Sequence, residues 1–131
     1  MRKPVVLIVD DEEDILVLAE NICSNMSCEL HVASSGESAI VKMRSMKYVD
    51  IAISDLQMAN MDGVTLLRHV RERHPKSIRI LHSAYIEINE IAKLMEEGLI
   101  CRALQKPISI ERGRRYIATL IELSNNGYYE E

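Results

Sequence analysis

Acidic, hydroxyl and ammonium side chains each follow a short apolar run in this sequence. These positions are Asp10 with Asp11, Asp55, Ser83 and Lys106. Three acidic groups gathered in one cleft repel one another, and a hard cation such as Mg²⁺, which prefers oxygen ligands, relieves that repulsion. A divalent metal, a carboxylate, a hydroxyl and a lysine together suit phosphoryl chemistry.

The five side chains meet only if the apolar runs before them are neighbouring strands of one parallel sheet. Such a sheet binds ligands at the carboxyl ends of its strands. Short continuous apolar runs alternate along the chain with stretches in which apolar residues recur three or four apart, which is typical of βαβ units. The pattern predicts five helices and five strands, at 5–9, 29–33, 51–54, 78–82 and 102–105.

Right-handed crossovers between these elements predict an α/β fold with a doubly wound, five-stranded parallel sheet. The expected strand order is 2-1-3-4-5, the flavodoxin-like arrangement, in which strands 1, 3, 4 and 5 are contiguous. Helix ends support the division, since Asp62 suits the N-cap of the third helix and Gly98 suits the position just past the fourth. We expect one domain over residues 1–124, followed by a tail or the start of a linker at 125–131.

Composition and charge exclude several classes of protein. The chain is 47% hydrophobic and 27% charged, which is typical of a soluble globular domain. Its formal net charge of −4 gives no electrostatic case for direct nucleic-acid binding. The apolar stretch near the amino terminus is too short for a secretory signal or a membrane span, and three cysteines without a CxxC pair fit a reducing compartment. We therefore expect a cytoplasmic protein without membrane insertion.

Four segments together resemble the receiver domain of bacterial two-component response regulators. They are Leu7-Ile8-Val9-Asp10-Asp11-Glu12, Asp55-Leu56-Gln57-Met58-Ala59-Asn60-Met61-Asp62-Gly63, Ser83-Ala84-Tyr85 and Lys106-Pro107. The resemblance covers about residues 4–124. It implies a phosphoacceptor signalling domain that catalyses only its own phosphorylation and dephosphorylation, switches a partner-binding surface and is not otherwise an enzyme.

The resemblance also implies a role for each site residue. Asp55 would accept the phosphoryl group from a sensor histidine kinase or a phosphotransfer protein. The implied cofactor is Mg²⁺, bound by the carboxylates of Asp10, Asp11 and Asp55 and by the backbone carbonyl of Gln57. Asp10 would bind it directly or through water. Ser83 would hydrogen-bond the phosphoryl group, and Lys106 would pair with Asp55 and then with a phosphoryl oxygen. The output domain or protein stays unknown at this point, and homodimer formation stays open.

Two other functions compete with this interpretation. A phosphorylation-independent binding module would keep the fold without the chemistry. The five filled chemical positions argue against it, whereas Ala103, at a position where the family usually has a large ring, keeps it open. A Mg²⁺-dependent aspartyl-phosphate phosphatase also uses an aspartate and a lysine. That class expects two acids in a D-x-D pattern after the first strand, whereas Asp10 and Asp11 are adjacent, and we expect no room for a cap domain.

Overall fold

The computed structural model describes residues 2–127, over which five strands and five helices alternate. The strands are β1 (Val5–Val9), β2 (Glu29–Ala33), β3 (Ile51–Ser54), β4 (Ile78–Ser83) and β5 (Arg102–Gln105). The helices are α1 (Glu13–Cys23), α2 (Gly36–Met43), α3 (Gly63–Arg73), α4 (Ile88–Glu96) and α5 (Ile110–Asn125). The predicted elements are confirmed, and the one difference among the strands is that β4 extends to Ser83. Within residues 2–127 no helix has the length and apolar character needed to cross a bilayer.

All strand pairs are parallel, and the order is β2-β1-β3-β4-β5, as predicted. The register aligns the carboxyl ends of the central strands, because Ser54 is paired with Val9 on one side and with Leu81 on the other. The next residues along β1 and β3 are Asp10 and Asp55, and the Asp55 N–H donates to the Val9 carbonyl at 2.9 Å. The sheet therefore places these two acids side by side.

The sheet has a hydrophobic core on each face, as expected when crossover helices cover both sides. Helices α1 and α5 pack on one face, together with inward side chains such as Ile8 and Ile80. Helices α2, α3 and α4 pack on the other, together with Leu7 and Leu81. Strand β1 is buried along its whole length, whereas the edge strands β2 and β5 are partly exposed.

Helix ends near the site follow the predicted signals. The Asp62 carboxylate accepts a hydrogen bond from the Thr65 N–H at 2.8 Å and caps α3. Gly98 has a φ of 77° just past the cap residue of α4, in the left-handed region that favours glycine. Helix α5 ends at Asn125, and the last four residues of the predicted tail, 128–131, lie outside the described part of the chain. The division at residue 124 stays a prediction.

Arg79 is the second residue of β4, lies between Ile78 and Ile80, and is only 1% exposed. Its guanidinium donates to the carbonyl of Leu99 at 2.7 Å, to that of Gly98 at 3.1 Å and to the hydroxyl of Ser77 at 2.9 Å. A buried charge is tolerated when its donors find partners in this way. Arg79 thus ties the start of β4 to the turn that leads into β5, the strand that ends just before Lys106.

Candidate functional site

Three aspartates converge at the carboxyl end of the sheet. Asp10 and Asp55 are buried and Asp11 is exposed, and one ligand oxygen from each lies within 4.8 Å of the others. Asp10 and Asp55 come directly after neighbouring strands, and Asp11 is one residue further into the loop before α1. The predicted acidic cluster therefore forms.

Lys106 reaches this cluster from the end of β5. Its side chain is only 8% exposed, and its Nζ lies 2.8 Å from Asp10 Oδ2, 3.0 Å from Glu12 Oε1 and 3.4 Å from Asp55 Oδ2. Burial lowers the pKa of the Lys106 ammonium, but the hydrogen bonds to Asp10 and Glu12 and the charge of Asp55 outweigh it and raise that pKa. Lys106 is therefore a permanent cation at this edge. Its peptide bond to Pro107 is cis.

The surroundings of the Asp55 carboxylate disfavour its ionised form. Burial and the charge of Asp10 raise its pKa, while Lys106 and a hydrogen bond from the Gln57 backbone N–H oppose the shift without cancelling it. Three carboxylates against one ammonium leave a local excess of negative charge. Because all the donors are oxygens, the residues present suit a hard divalent cation such as Mg²⁺.

A tight loop holds Asp55 in place. Gly63 lies so close to Asp55 that a Cβ built on it would stand 2.1 Å from the Asp55 carbonyl oxygen. The Gly63 N–H donates to the Leu56 carbonyl at 2.8 Å, and the Ser54 hydroxyl donates to the Asp55 carbonyl at 2.8 Å. Only glycine allows this approach, so the loop from Asp55 to Gly63 closes on itself and orients the carboxylate.

Ser83 lies buried at the end of β4, one strand from Asp55. Its carbonyl accepts a hydrogen bond from the Lys106 N–H at 2.8 Å, so the backbones of these two predicted residues are directly linked. Its hydroxyl accepts from the Tyr85 N–H at 3.3 Å. Tyr85 itself is 67% exposed. Ala103, at the position of the usual ring, is paired with Leu81 in the sheet.

Comparison with known proteins identifies the family. The model of the response regulator receiver domain matches residues 6–118. The chain belongs to this family. The recognition made from the sequence motifs is thereby confirmed, and receiver domains are signalling modules of two-component response regulators.

The relatives of this receiver domain are longer regulators and sensors. It is 25% identical to the DNA-binding transcriptional regulator NtrC of Salmonella typhimurium over 131 residues, which are 100% of this chain and 27% of that protein. It is 26% identical to the response regulator PilR of Pseudomonas aeruginosa over 125 residues, 95% of the chain and 28% of that protein. The chain thus spans about a quarter of these relatives.

A solved receiver structure has the same fold. The signal receiver domain of an HD domain-containing protein from Pseudomonas fluorescens is 31% identical, with a TM-score of 0.83, and the match covers 95% of this chain and 99% of that one. Within this receiver domain, the structure brings Asp10, Asp11, Asp55 and Lys106 together and links Ser83 to Lys106 through the backbone. The structure gives no ligand role to the Gln57 carbonyl, which stays a prediction.

Two residues of this receiver domain were missed by the sequence analysis. Glu12 was part of an acidic run with no sign that it would reach Lys106. His82 is 8% exposed and lines an apolar cavity of about 60 Å³ between α1 and α5, and its Nε2 finds no hydrogen-bond partner among residues 2–127. Burial lowers the pKa of the His82 imidazole, and the charge of Lys106 lowers it further.

The neutral state of His82 should make stability depend on pH. Below about pH 6.5 the His82 side chain is protonated in the unfolded chain but stays neutral in the folded protein, because its pKa is lower there. The free energy of unfolding therefore falls as the pH falls. His82→Leu lacks this titrating group. As the pH falls from about 7.5 to 5, the free energy of unfolding of His82→Leu relative to that of wild type should therefore rise by on the order of 1 kcal/mol. Urea denaturation of both proteins measures the difference. Burial also lowers the pKa of His74, but this residue is present in both proteins, so its effect cancels in the difference. A difference that does not change with pH would contradict the prediction.

Proposed function

We propose that Asp55 is the phosphoacceptor of this receiver domain and takes its phosphoryl group from a sensor histidine kinase or a phosphotransfer protein. The supporting observation is the position of the buried Asp55 carboxylate, 3.4 Å from the Lys106 ammonium and within 4.8 Å of two further carboxylates. Asp10 has the same neighbours, but its Oδ1 already accepts the Glu12 N–H at 2.9 Å, and the receiver motif implies that Asp55 is the phosphoacceptor.

In the proposed reaction an Asp55 oxygen attacks the phosphorus of a phosphohistidine. The new bond is O–P, the N–P bond breaks, and the imidazole nitrogen keeps the electron pair and takes a proton from water. Lys106 neutralises charge on the equatorial phosphoryl oxygens, and the Ser83 hydroxyl donates to one of them. The product is an acyl phosphate, and the domain also catalyses its hydrolysis.

We propose Mg²⁺ as the cofactor, held by Asp10, Asp11, Asp55 and the backbone carbonyl of Gln57. The three carboxylates supply the oxygen donors and the negative charge that such a cation requires. When bound, the metal supplies further positive charge at the phosphoryl oxygens.

The proposed switch begins at Ser83. Phosphorylation adds about −2 charge and strong acceptors at Asp55, which attract the Ser83 hydroxyl. Because the Tyr85 N–H is hydrogen-bonded to that hydroxyl, movement of Ser83 pulls on the segment before α4. Phosphate can change this surface only to the extent that it favours one position of the loop over the other.

The remaining assignments follow the same proposal. We place the protein in the cytoplasm, without membrane insertion and without direct nucleic-acid binding by this domain, whose net charge is −4. The domain occupies residues 1–124, and the output domain or protein is not identified. A sensor kinase, CckA of Brucella abortus, is among the relatives at 31% identity over 118 residues, 89% of this chain and 12% of that protein. Homodimer formation stays open.

Beryllofluoride, acetyl phosphate and p-nitrophenyl phosphate together separate the three candidate functions. With Mg²⁺ present, we expect beryllofluoride to shift backbone amide signals around Asp55 and Ser83 in NMR spectra, and acetyl phosphate to label the protein stoichiometrically. A binding module that is independent of phosphorylation responds to neither reagent. An aspartyl-phosphate phosphatase turns over p-nitrophenyl phosphate continuously. Either of those outcomes would replace the proposed function.

A further inference from the structure

Glu12 has a fixed backbone and a side chain that reaches the acidic cluster. Its N–H donates to Asp10 Oδ1 at 2.9 Å, and its carbonyl accepts from the Ile15 N–H at 3.1 Å, so it is held between the cluster and the start of α1. Its carboxylate lies 3.0 Å from Lys106 Nζ, although the side chain is 62% exposed. Glu12 therefore connects the solvent-facing rim of the site to Lys106.

The Lys106 ammonium is closer to Glu12 than to Asp55. Its distance to Glu12 Oε1 is 3.0 Å and its distance to Asp55 Oδ2 is 3.4 Å, and it donates a hydrogen bond to Glu12 Oε1. Asp10 holds the ammonium at 2.8 Å, but its oxygens also belong to the metal cluster. Glu12 lies outside that cluster, so it remains available to Lys106 when the aspartates bind a cation.

We propose that Glu12 is a positioning residue that competes with Asp55 and with the incoming phosphoryl group for Lys106, and so slows phosphorylation of this domain. The proposal rests on Asp55 being the phosphoacceptor. Lys106 must turn toward a phosphoryl oxygen as phosphorus approaches Asp55, and the contact with Glu12 has to break or lengthen for this to happen. An interaction that is stronger before the transition state than in it raises the barrier.

The charge of Glu12 offers an alternative cause for slower phosphorylation. A phosphoryl donor such as acetyl phosphate is an anion, and a carboxylate beside the attack site repels it. An effect of charge alone acts at a distance and is screened by salt, whereas competition for the ammonium depends on contact. Variants of neighbouring acids distinguish the two.

Glu12→Gln should be phosphorylated by acetyl phosphate with Mg²⁺ about threefold faster than wild type. Threefold corresponds to about 0.65 kcal/mol, within the range of a largely exposed ion pair. The matched control is Glu13→Gln, which removes the same charge one residue along. Glu13 is exposed and forms no ion pair within residues 2–127. We expect the control to react at the wild-type rate.

Glu12→Asp separates contact from charge, because it keeps the carboxylate on a side chain that is one methylene shorter. We expect Glu12→Asp to react faster than wild type, as Glu12→Gln does. Equal acceleration in Glu13→Gln, or wild-type behaviour in Glu12→Asp, would show a charge effect and overturn the proposal. So would an unchanged or slower rate in Glu12→Gln.

A measurement without metal or phosphate tests the contact itself. In NMR spectra of the metal-free protein, the ammonium protons of Lys106 should exchange with water faster in Glu12→Gln than in wild type or Glu13→Gln. Unchanged exchange would contradict the proposal. Adding Asp55→Asn to each variant separates the two proposals: retained label would contradict the role of Asp55, whereas complete loss of label with no Glu12 effect would contradict only the role of Glu12.

Discussion

Asp11→Ala should lose Mg²⁺ binding and phosphorylation together while the protein stays folded. Asp11 is exposed, so its removal costs the core nothing, yet its carboxylate lies within 4.8 Å of the ligand oxygens of Asp10 and Asp55. Loss of one of three carboxylate donors weakens the attraction for a hard cation, and without that cation the phosphoryl charge is balanced by Lys106 alone. We expect labelling by acetyl phosphate to fall by about 100-fold or more.

Calorimetric titration with Mg²⁺ and timed labelling measure these two losses, and circular dichroism checks the fold. Asp14→Ala is the matched control, because Asp14 is an exposed aspartate in the first turn of α1 that does not join the cluster within residues 2–127. It should bind and react like wild type. Undiminished labelling of Asp11→Ala would contradict the assignment of the metal site.

Asp55→Asn should abolish phosphorylation and, in the absence of Mg²⁺, make the domain more stable. The amide is not a nucleophile toward phosphorus, so the loss is complete. The gain in stability follows from the raised pKa of Asp55, since burial and the Asp10 charge make its ionised form unfavourable in the folded state. The neutral asparagine removes that cost, and we expect about 1 kcal/mol of added stability at neutral pH.

The sign of the pH dependence provides a check on this reasoning. A carboxyl group whose pKa is raised by folding binds its proton more tightly in the folded state. Its unfavourable contribution therefore develops as the pH rises from the ordinary pKa of the group to the raised pKa in the folded state. The advantage of Asp55→Asn should therefore be present at neutral pH and vanish below about pH 3.8, where both states are protonated. Urea denaturation without metal, at a series of pH values, measures it. Lower stability of Asp55→Asn at neutral pH would contradict the electrostatic account.

The positions of Asp10, Asp55 and Lys106 could be predicted because they depend on strand ends alone. Apolar runs mark buried parallel strands, and the order of a doubly wound sheet brings the ends of those strands to one edge. Asp62 and Gly98 could be predicted for a similar reason, since capping depends on residues adjacent in sequence. Ser83 belongs to β4 because its backbone still pairs with β5, which an apolar pattern does not reveal.

Glu12, Arg79 and His82 could not be predicted because their roles depend on contacts between distant segments. The Glu12 carboxylate looks like any acid in a first helical turn until Lys106, 94 residues away, arrives beside it. Arg79 interrupts an apolar run and is buried only because carbonyls of the turn before β5 surround its guanidinium. The apolar setting of His82 is formed by α1 and α5, and neither helix is adjacent to it in sequence.

Locating the phosphate on the labelled protein tests the role of Asp55 most directly. Wild-type protein is treated with acetyl phosphate and Mg²⁺, the acyl phosphate is reduced with borohydride, and the digested peptides are sequenced by mass spectrometry. The prediction is one phosphate per chain and a single reduced residue, at position 55, with no label in Asp55→Asn. A reduced residue at any other position, or label retained in Asp55→Asn, would contradict it.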